Sequence, residues 1–218
     1  MCYLGEPVAW PMISAKEALE RLREGNKRFV ASIGNGESLL KATRRIELIA
    51  EQEPVAIILG CSDARVPAEI VFDQGLGDLF VIRVAGNIVA PSQVGSVEFA
   101  AQRFGTRLVV VLGHTQCGAI QATLDELRRP VENQSRNLTS IVERVRPSVE
   151  GLIGTDLRHD LPALAAQAIR SNVMVSVSHL RYGSPILESL IRNDGLVVVG
   201  AEYSIETGVV DFFDGGKF

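Results

Sequence analysis

The chain has 218 residues, 46% of them hydrophobic, and a formal net charge of -4 with both signs scattered along its length. That size suits one α/β domain whose core needs no disulfide staples, and the lack of a basic tract argues against nucleic acid or an anionic membrane as partner. No stretch approaches the roughly 20 apolar residues that span a bilayer, and the opening MCYLGEPVAWPMIS has no basic segment followed by an apolar run, so a soluble, cytoplasmic protein is expected.

In chain order, Ser14 with Glu17 three residues later has the form of a capping box, and Ala18, Leu19, Leu22 and Phe29 recur at helical spacing. A second helical stretch is expected from Arg44 to Glu51, before Pro54, which makes an N-terminal helical arm over about 14–52. VAIILG then forms a buried strand that ends at Cys61. GLGDLF around Gly75 lacks the GxGxxG spacing of a nucleotide loop and precedes a strand, so it reads as a tight turn. LFVIRVA from Leu79 and LVVVLG from Leu108 repeat the apolar strand pattern, with helical VGSVEFAAQRF between them and Gly105 as its stop. From Gln116 to about Asn193 the pattern is helical, with breaks expected at Pro130, Pro147, Gly151 to Gly154 and Pro162. LVVVGAEY and VVDFF, joined by the short SIETG, close the chain as an antiparallel pair. The expected fold is α/β: a mostly parallel sheet of about four parallel strands plus an antiparallel edge strand, flanked by helices, in a single domain over 1–218.

Chemistry concentrates at two strand ends. Cys61 follows VAIILG, and His114-Thr-Gln-Cys117 follows LVVVLG, so two separate strands would deliver ligands at their carboxyl ends, where open parallel sheets place their sites. Two thiolates and an imidazole suit zinc, one ion per chain, and three protein ligands leave the fourth tetrahedral position for water, as in catalytic sites. Two of the three cysteines are thereby used; Cys2 lies in the terminus. His159, among charges in LRHDL, and His179, late in a helical stretch, read as a solvated loop residue and a packed helix residue. Asp63 and Arg65 follow Cys61 closely enough to reach the same metal. Either Asp63 becomes a fourth ligand and closes the site, or a bidentate pair with Arg65 holds it back as an acceptor.

CSDARVP followed by GHTQCGA resembles the paired signature of the β-class carbonic anhydrases, and the likeness extends through EGNKRF, DQGLGDLFVIRVAGN and VEFA over nearly the whole chain. Members commonly have Ser where Ala64 stands, at the variable position of the first motif. The resemblance implies reversible hydration of carbon dioxide to bicarbonate and a proton, through a zinc-bound hydroxide oriented by Asp63 and Arg65, with Cys61, His114 and Cys117 as ligands. It implies that the backbone amide of Gly118 lies near the substrate. It also makes pocket candidates of Gln52 and Phe80, similar to a Gln before the first strand and a Phe after the second in plant-type members, and of Phe99, where those members have Tyr. Members assemble as homodimers or larger sets of dimers such as tetramers, with the pocket at the subunit boundary, so Gln52 and Phe80 would serve a neighbour's zinc. Some members bind bicarbonate at a separate site with a Trp before the first Cys; Ile58 stands there, although Tyr203 matches a tyrosine of that site, and the absent Trp favours a permanently open centre.

Two rival readings stay open on the sequence. The same centre could hydrolyse carbonyl sulfide or carbon disulfide. A thiol redox or non-catalytic zinc module would use Cys61 and Cys117 but leaves Asp63 and Arg65 unexplained.

Overall fold

The computed structural model describes residues 13–32, 52–129 and 135–214. The expected helix from Arg44 to Glu51, the break at Pro130 and Cys2 lie outside the described residues.

Helix α1 (Ala15–Ser32) starts at the capping box. The Glu17 amide donates to Ser14 Oγ at 3.2 Å, and the Ser14 amide donates back to Glu17 Oε2 at 2.8 Å. Strands β1 (Ala56–Gly60), β2 (Leu79–Arg83), β3 (Leu108–His114), β4 (Val197–Tyr203) and β5 (Val210–Asp214) form one sheet in the order β2-β1-β3-β4-β5. All pairings are parallel except β4 with β5. The expected four parallel strands and antiparallel edge strand are therefore present.

β1 and β3 are wholly buried, and apolar up to His114, because both faces of the sheet are covered. Ile58, Val110 and Leu112 meet Leu19 and Leu22 of α1 and Phe72, which follows the short helix α2 (Ala68–Val71). Ile57, Leu59, Val109 and Val111 face the other way, against α3 (Pro91–Arg103), α6 (Leu161–Tyr182) and α7 (Pro185–Asn193). Gly25 lets α1 lie flush on this layer: a Cβ there would sit 1.8 Å from the Phe72 carbonyl oxygen. Beside it, buried Asn26 donates to the carbonyls of Val71 and Gly208 and accepts from the Val210 amide, which ties α1 to the β4–β5 turn.

A third apolar cluster forms where α4 (Gly118–Arg128), α5 (Arg136–Ile153) and α6 meet, and it takes in Cys61 and Cys117 with Ile120, Val145, Val149 and Leu164. The site thus rests on a packed floor.

The helical region departs from expectation at one proline, Pro147, while the break expected at Pro162 falls just before that residue. Pro147 lies inside α5 and does not break it. Proline removes one helix hydrogen bond, but Val142, Val145 and Val149 form a buried stripe along that helix, and their packing carries the turn across it. Pro162 stands in the first turn of α6, where its missing amide is no loss, and Asp160 caps the helix by accepting from the Ala163 amide at 3.1 Å. Gly105 ends α3 as expected, at φ +66°. The GLGDLF segment is the expected tight turn, closed by the Gly75 amide on Asp78 Oδ2 at 2.9 Å. Among the described residues no helix is long and apolar enough to cross a membrane.

Candidate metal centre

β1 and β3 are neighbours, with Gly60 opposite Leu112, so Cys61 and His114 leave the sheet side by side. Gln116 then adopts a left-handed conformation, φ +57°, and turns the chain back so that Cys117 arrives directly before α4. The ligand atoms of Cys61, His114 and Cys117 all lie within 4.8 Å of one another, and all three residues are buried. A tetrahedral ion with bonds of about 2.3 Å to sulfur sets its ligands roughly 3.8 Å apart, so the cluster has the right span.

The protonation pattern is that of a metal site. His114 Nδ1 lies 2.8 Å from the Thr115 carbonyl, which fixes the proton on Nδ1 and leaves the Nε2 lone pair facing the sulfurs. Nε2 is buried without a hydrogen-bond partner, a costly condition that a cation relieves. The Cys117 thiol donates toward Cys61 and lowers its pKa, while the pKa of Cys117 is pushed up by the same neighbour and by burial. Two sulfurs this close share one negative charge; a divalent cation lets both ionise. The donor set fits zinc, with Cys61, His114 and Cys117 as its holders.

The Gly86 amide points at Cys61 Sγ at 3.4 Å. Gly86 has φ +71°, and its carbonyl accepts from Asn172 Nδ2 of α6 at 2.7 Å, so the turn that presents this amide is held from inside the core. On the other side of Cys61, Arg83 donates to the carbonyls of Cys61 and Asp63.

Of the two arrangements open to Asp63, the structure has the bidentate pair. Arg65 Nε and Nη2 donate to Asp63 Oδ1 and Oδ2 at 2.9 and 2.7 Å, and the Arg65 amide adds a third bond at 3.0 Å. These bonds hold the Asp63 carboxyl well below the usual carboxylate range. Its Oδ2 is 4.0 Å from His114 Nε2, so the charge faces the ligand cluster. Gly118 is exposed beside Cys117, and a Cβ there would meet nothing within 4 Å, which leaves room for a small molecule.

The pocket candidates lie elsewhere. Phe80 falls within β2, not after it, opposite Ile57 and four residues short of the level of Cys61, about 13 Å back along the strand. It stacks with Phe104 and with half-exposed Phe99 of α3, at centroid distances of 5.9 and 6.2 Å. Gln52 is exposed before β1. One chain does not bring these three to its own ligands. Ile58 is fully buried in β1, and Tyr203 is buried at the end of β4, opposite His114. His159 is exposed as expected, but His179 is exposed on α6 and not packed, because it falls on the outward face of that helix. Gly86, Arg83, Asn172, Thr115, Gln116 and Glu206 escaped the sequence reading; the position of Thr115 and Gln116 between two ligands was the one signal available.

A family model described as carbonic anhydrase matches residues 56–210. Carbonic anhydrase 2 of Mycobacterium tuberculosis is 37% identical over 198 residues, which cover 91% of this chain and 92% of that protein. The carbonic anhydrase of Mycolicibacterium smegmatis is 38% identical over 197 residues, 89% of this chain and 91% of that one. In fold, the chain is similar to tetrameric β-carbonic anhydrases of the ascomycete Sordaria macrospora: the TM-score is 0.70 at 21% identity, over 90% of this chain and 97% of the other.

Proposed function

The chain belongs to the carbonic anhydrase family, and from that premise we propose that it interconverts carbon dioxide and bicarbonate at a zinc ion held by Cys61, His114 and Cys117. The observation that carries the reading is the Asp63–Arg65 pair, a fixed carboxylate facing a buried cluster of three ligands. A structural zinc has no use for it.

Zinc, when bound, lowers the pKa of water from 15.7 to about 7 and so supplies a nucleophile near neutral pH. The residues supply direction. Asp63, unable to donate while Arg65 keeps it ionised, accepts a hydrogen bond from the attacking oxygen and turns a lone pair toward the carbon. Carbon dioxide, small and apolar, rests in the open space beside Gly118. The backbone amide of Gly118 orients its oxygen. His159 and His179 are exposed on other elements and are not assigned as the shuttle, so buffer or an unassigned residue takes the released proton.

Gln52 and Phe80 line a pocket of the adjacent subunit, which requires a homodimer or a dimer of dimers, and Phe99 is a further pocket candidate. The distance of Phe80 from the ligands of its own chain supports this placement.

Stopped-flow hydration of carbon dioxide on metal-analysed protein tests the reading. The expected result is one zinc per chain and rapid turnover, with both lost in Cys61→Ser. Stoichiometric zinc without hydration would sink it.

A further inference from the structure

We propose that Glu206 is a positioning residue of the metal centre: from the β4–β5 turn its carboxylate holds the segment Thr115–Gln116, and through that segment it sets both His114 and the Asp63–Arg65 pair. The inference rests on the metal reading above.

Glu206 is exposed, where a carboxylate ordinarily faces water alone. Here it collects three side-chain donors. Its Oε2 accepts from Thr115 Oγ1 at 2.8 Å and from Ser204 Oγ at 3.2 Å, and its Oε1 accepts from Gln116 Nε2 at 2.7 Å. Thr115 and Gln116 stand between the two ligands of the second motif, about 90 residues away in the chain.

Both residues use their carbonyls on the site. The Thr115 carbonyl meets His114 Nδ1 at 2.8 Å and so fixes the ring that carries a ligand atom. The Gln116 carbonyl lies 3.4 Å from Arg65 Nη2, the same nitrogen that binds Asp63 Oδ2. Gln116 holds φ +57°, a conformation that a non-glycine residue adopts only at a cost and keeps when its surroundings restrain it. The bond from its side chain to Glu206 is one restraint on that conformation, beside the contact of its carbonyl with Arg65.

The anchor itself is bonded on several sides. The Thr207 amide bonds Ser204 Oγ at 3.1 Å and the Gly208 amide bonds the Ser204 carbonyl at 2.8 Å. Buried Asn26 fastens the Gly208 carbonyl to α1 at 2.8 Å. The Ile205 amide donates to Thr115 Oγ1 at 3.0 Å, which leaves the Thr115 hydroxyl proton for Glu206. A carboxylate that merely stapled its own turn would need only Ser204. Its two shorter bonds leave the turn and go to the metal loop.

The test compares the full chain with Glu206→Ala and Glu206→Gln, each loaded separately with zinc and with cobalt. Zinc release to a chromogenic chelator and the visible absorption of bound cobalt are measured; urea unfolding of the metal-free forms reports the turn separately. Loss of a direct contact to a metal ligand costs about 10- to 100-fold in affinity; Glu206 acts one residue further out, through Thr115 and Gln116, so Glu206→Ala should release zinc faster by up to about 10-fold and shift the cobalt bands. Glu206→Gln keeps one acceptor oxygen and should fall between Glu206→Ala and the parent. Parent-like release and an unchanged cobalt spectrum in Glu206→Ala, with or without lost unfolding stability, would overturn the proposal. Parent protein that binds zinc but does not hydrate carbon dioxide refutes the function and still allows this comparison; parent protein that binds no metal refutes both.

Discussion

Asp63→Asn separates the chemistry of the dyad from the holding of the metal. The change keeps the side-chain volume and all three ligands, but it replaces one carboxylate oxygen with an amino group that faces the Arg65 fork, donor against donor. Of the two side-chain bonds at 2.9 and 2.7 Å, only the one to the remaining oxygen survives. The side chains of Arg65 and Asp63 are 48% and 18% exposed, so solvent screens the pair and the loss of folding stability should be small. Turnover should suffer more. An amide that can turn its amino group toward the nucleophile no longer enforces acceptance, and positioned acid–base groups contribute about 10²- to 10⁴-fold. The expected loss is at least about 100-fold, or ~2.7 kcal/mol of barrier. Stopped-flow hydration with zinc counted per chain measures it, and parent-like turnover in zinc-loaded Asp63→Asn would refute the role assigned to Asp63.

Two further outcomes follow from the same geometry. Gly86→Ala forces φ +71° on an L-residue and sets a methyl 3.1 Å from the Ala119 Cβ, so urea unfolding should show a loss of about 1–3 kcal/mol. Zinc should also leave faster, because the shifted turn carries the amide bonded to Cys61 Sγ; an unchanged midpoint and release rate would count against both roles. For Arg65→Met the sign is set by Asp63, whose pKa in the folded protein lies below the value of about 3.9 expected when unfolded. The stability this confers is present above about pH 4 and fades as the pH falls further. The stability gap between parent and variant should therefore be constant near neutrality and narrow below about pH 4; a gap independent of pH down to 3 would contradict the cause assigned to the shift.

The ligands were legible in the sequence because their reasons are local. An unbroken apolar run is a strand buried on both faces, and Cys61 and His114 stand where such runs stop. The capping box at Ser14 is likewise complete within four residues. Pro147 was misread since local rules price the lost bond and not the valine stripe that offsets it. Phe80 and Phe99 could be named but not placed, because their distance from Cys61 depends on the register of β2 against β1. Glu206 was out of reach: nothing in SIETG signals a contact to residues about 90 positions earlier.

The same contrast explains how the centre is built. Sheet packing alone brings Cys61 and His114 to one end of adjacent strands, but packing is indifferent to where a ring proton sits or which way a carboxylate turns. Those choices are made by directional bonds: Thr115 to His114, Arg65 to Asp63, Gly86 to Cys61. Each of these is secured from a different element. Glu206 reaches Thr115 from the β4–β5 turn, Asn172 reaches Gly86 from α6, and Arg83 reaches the Cys61–Asp63 backbone from β2. Three polar anchors from separate elements converge on a loop cluster only when the whole sheet is assembled, so the reactive geometry is a property of the completed fold and not of either motif.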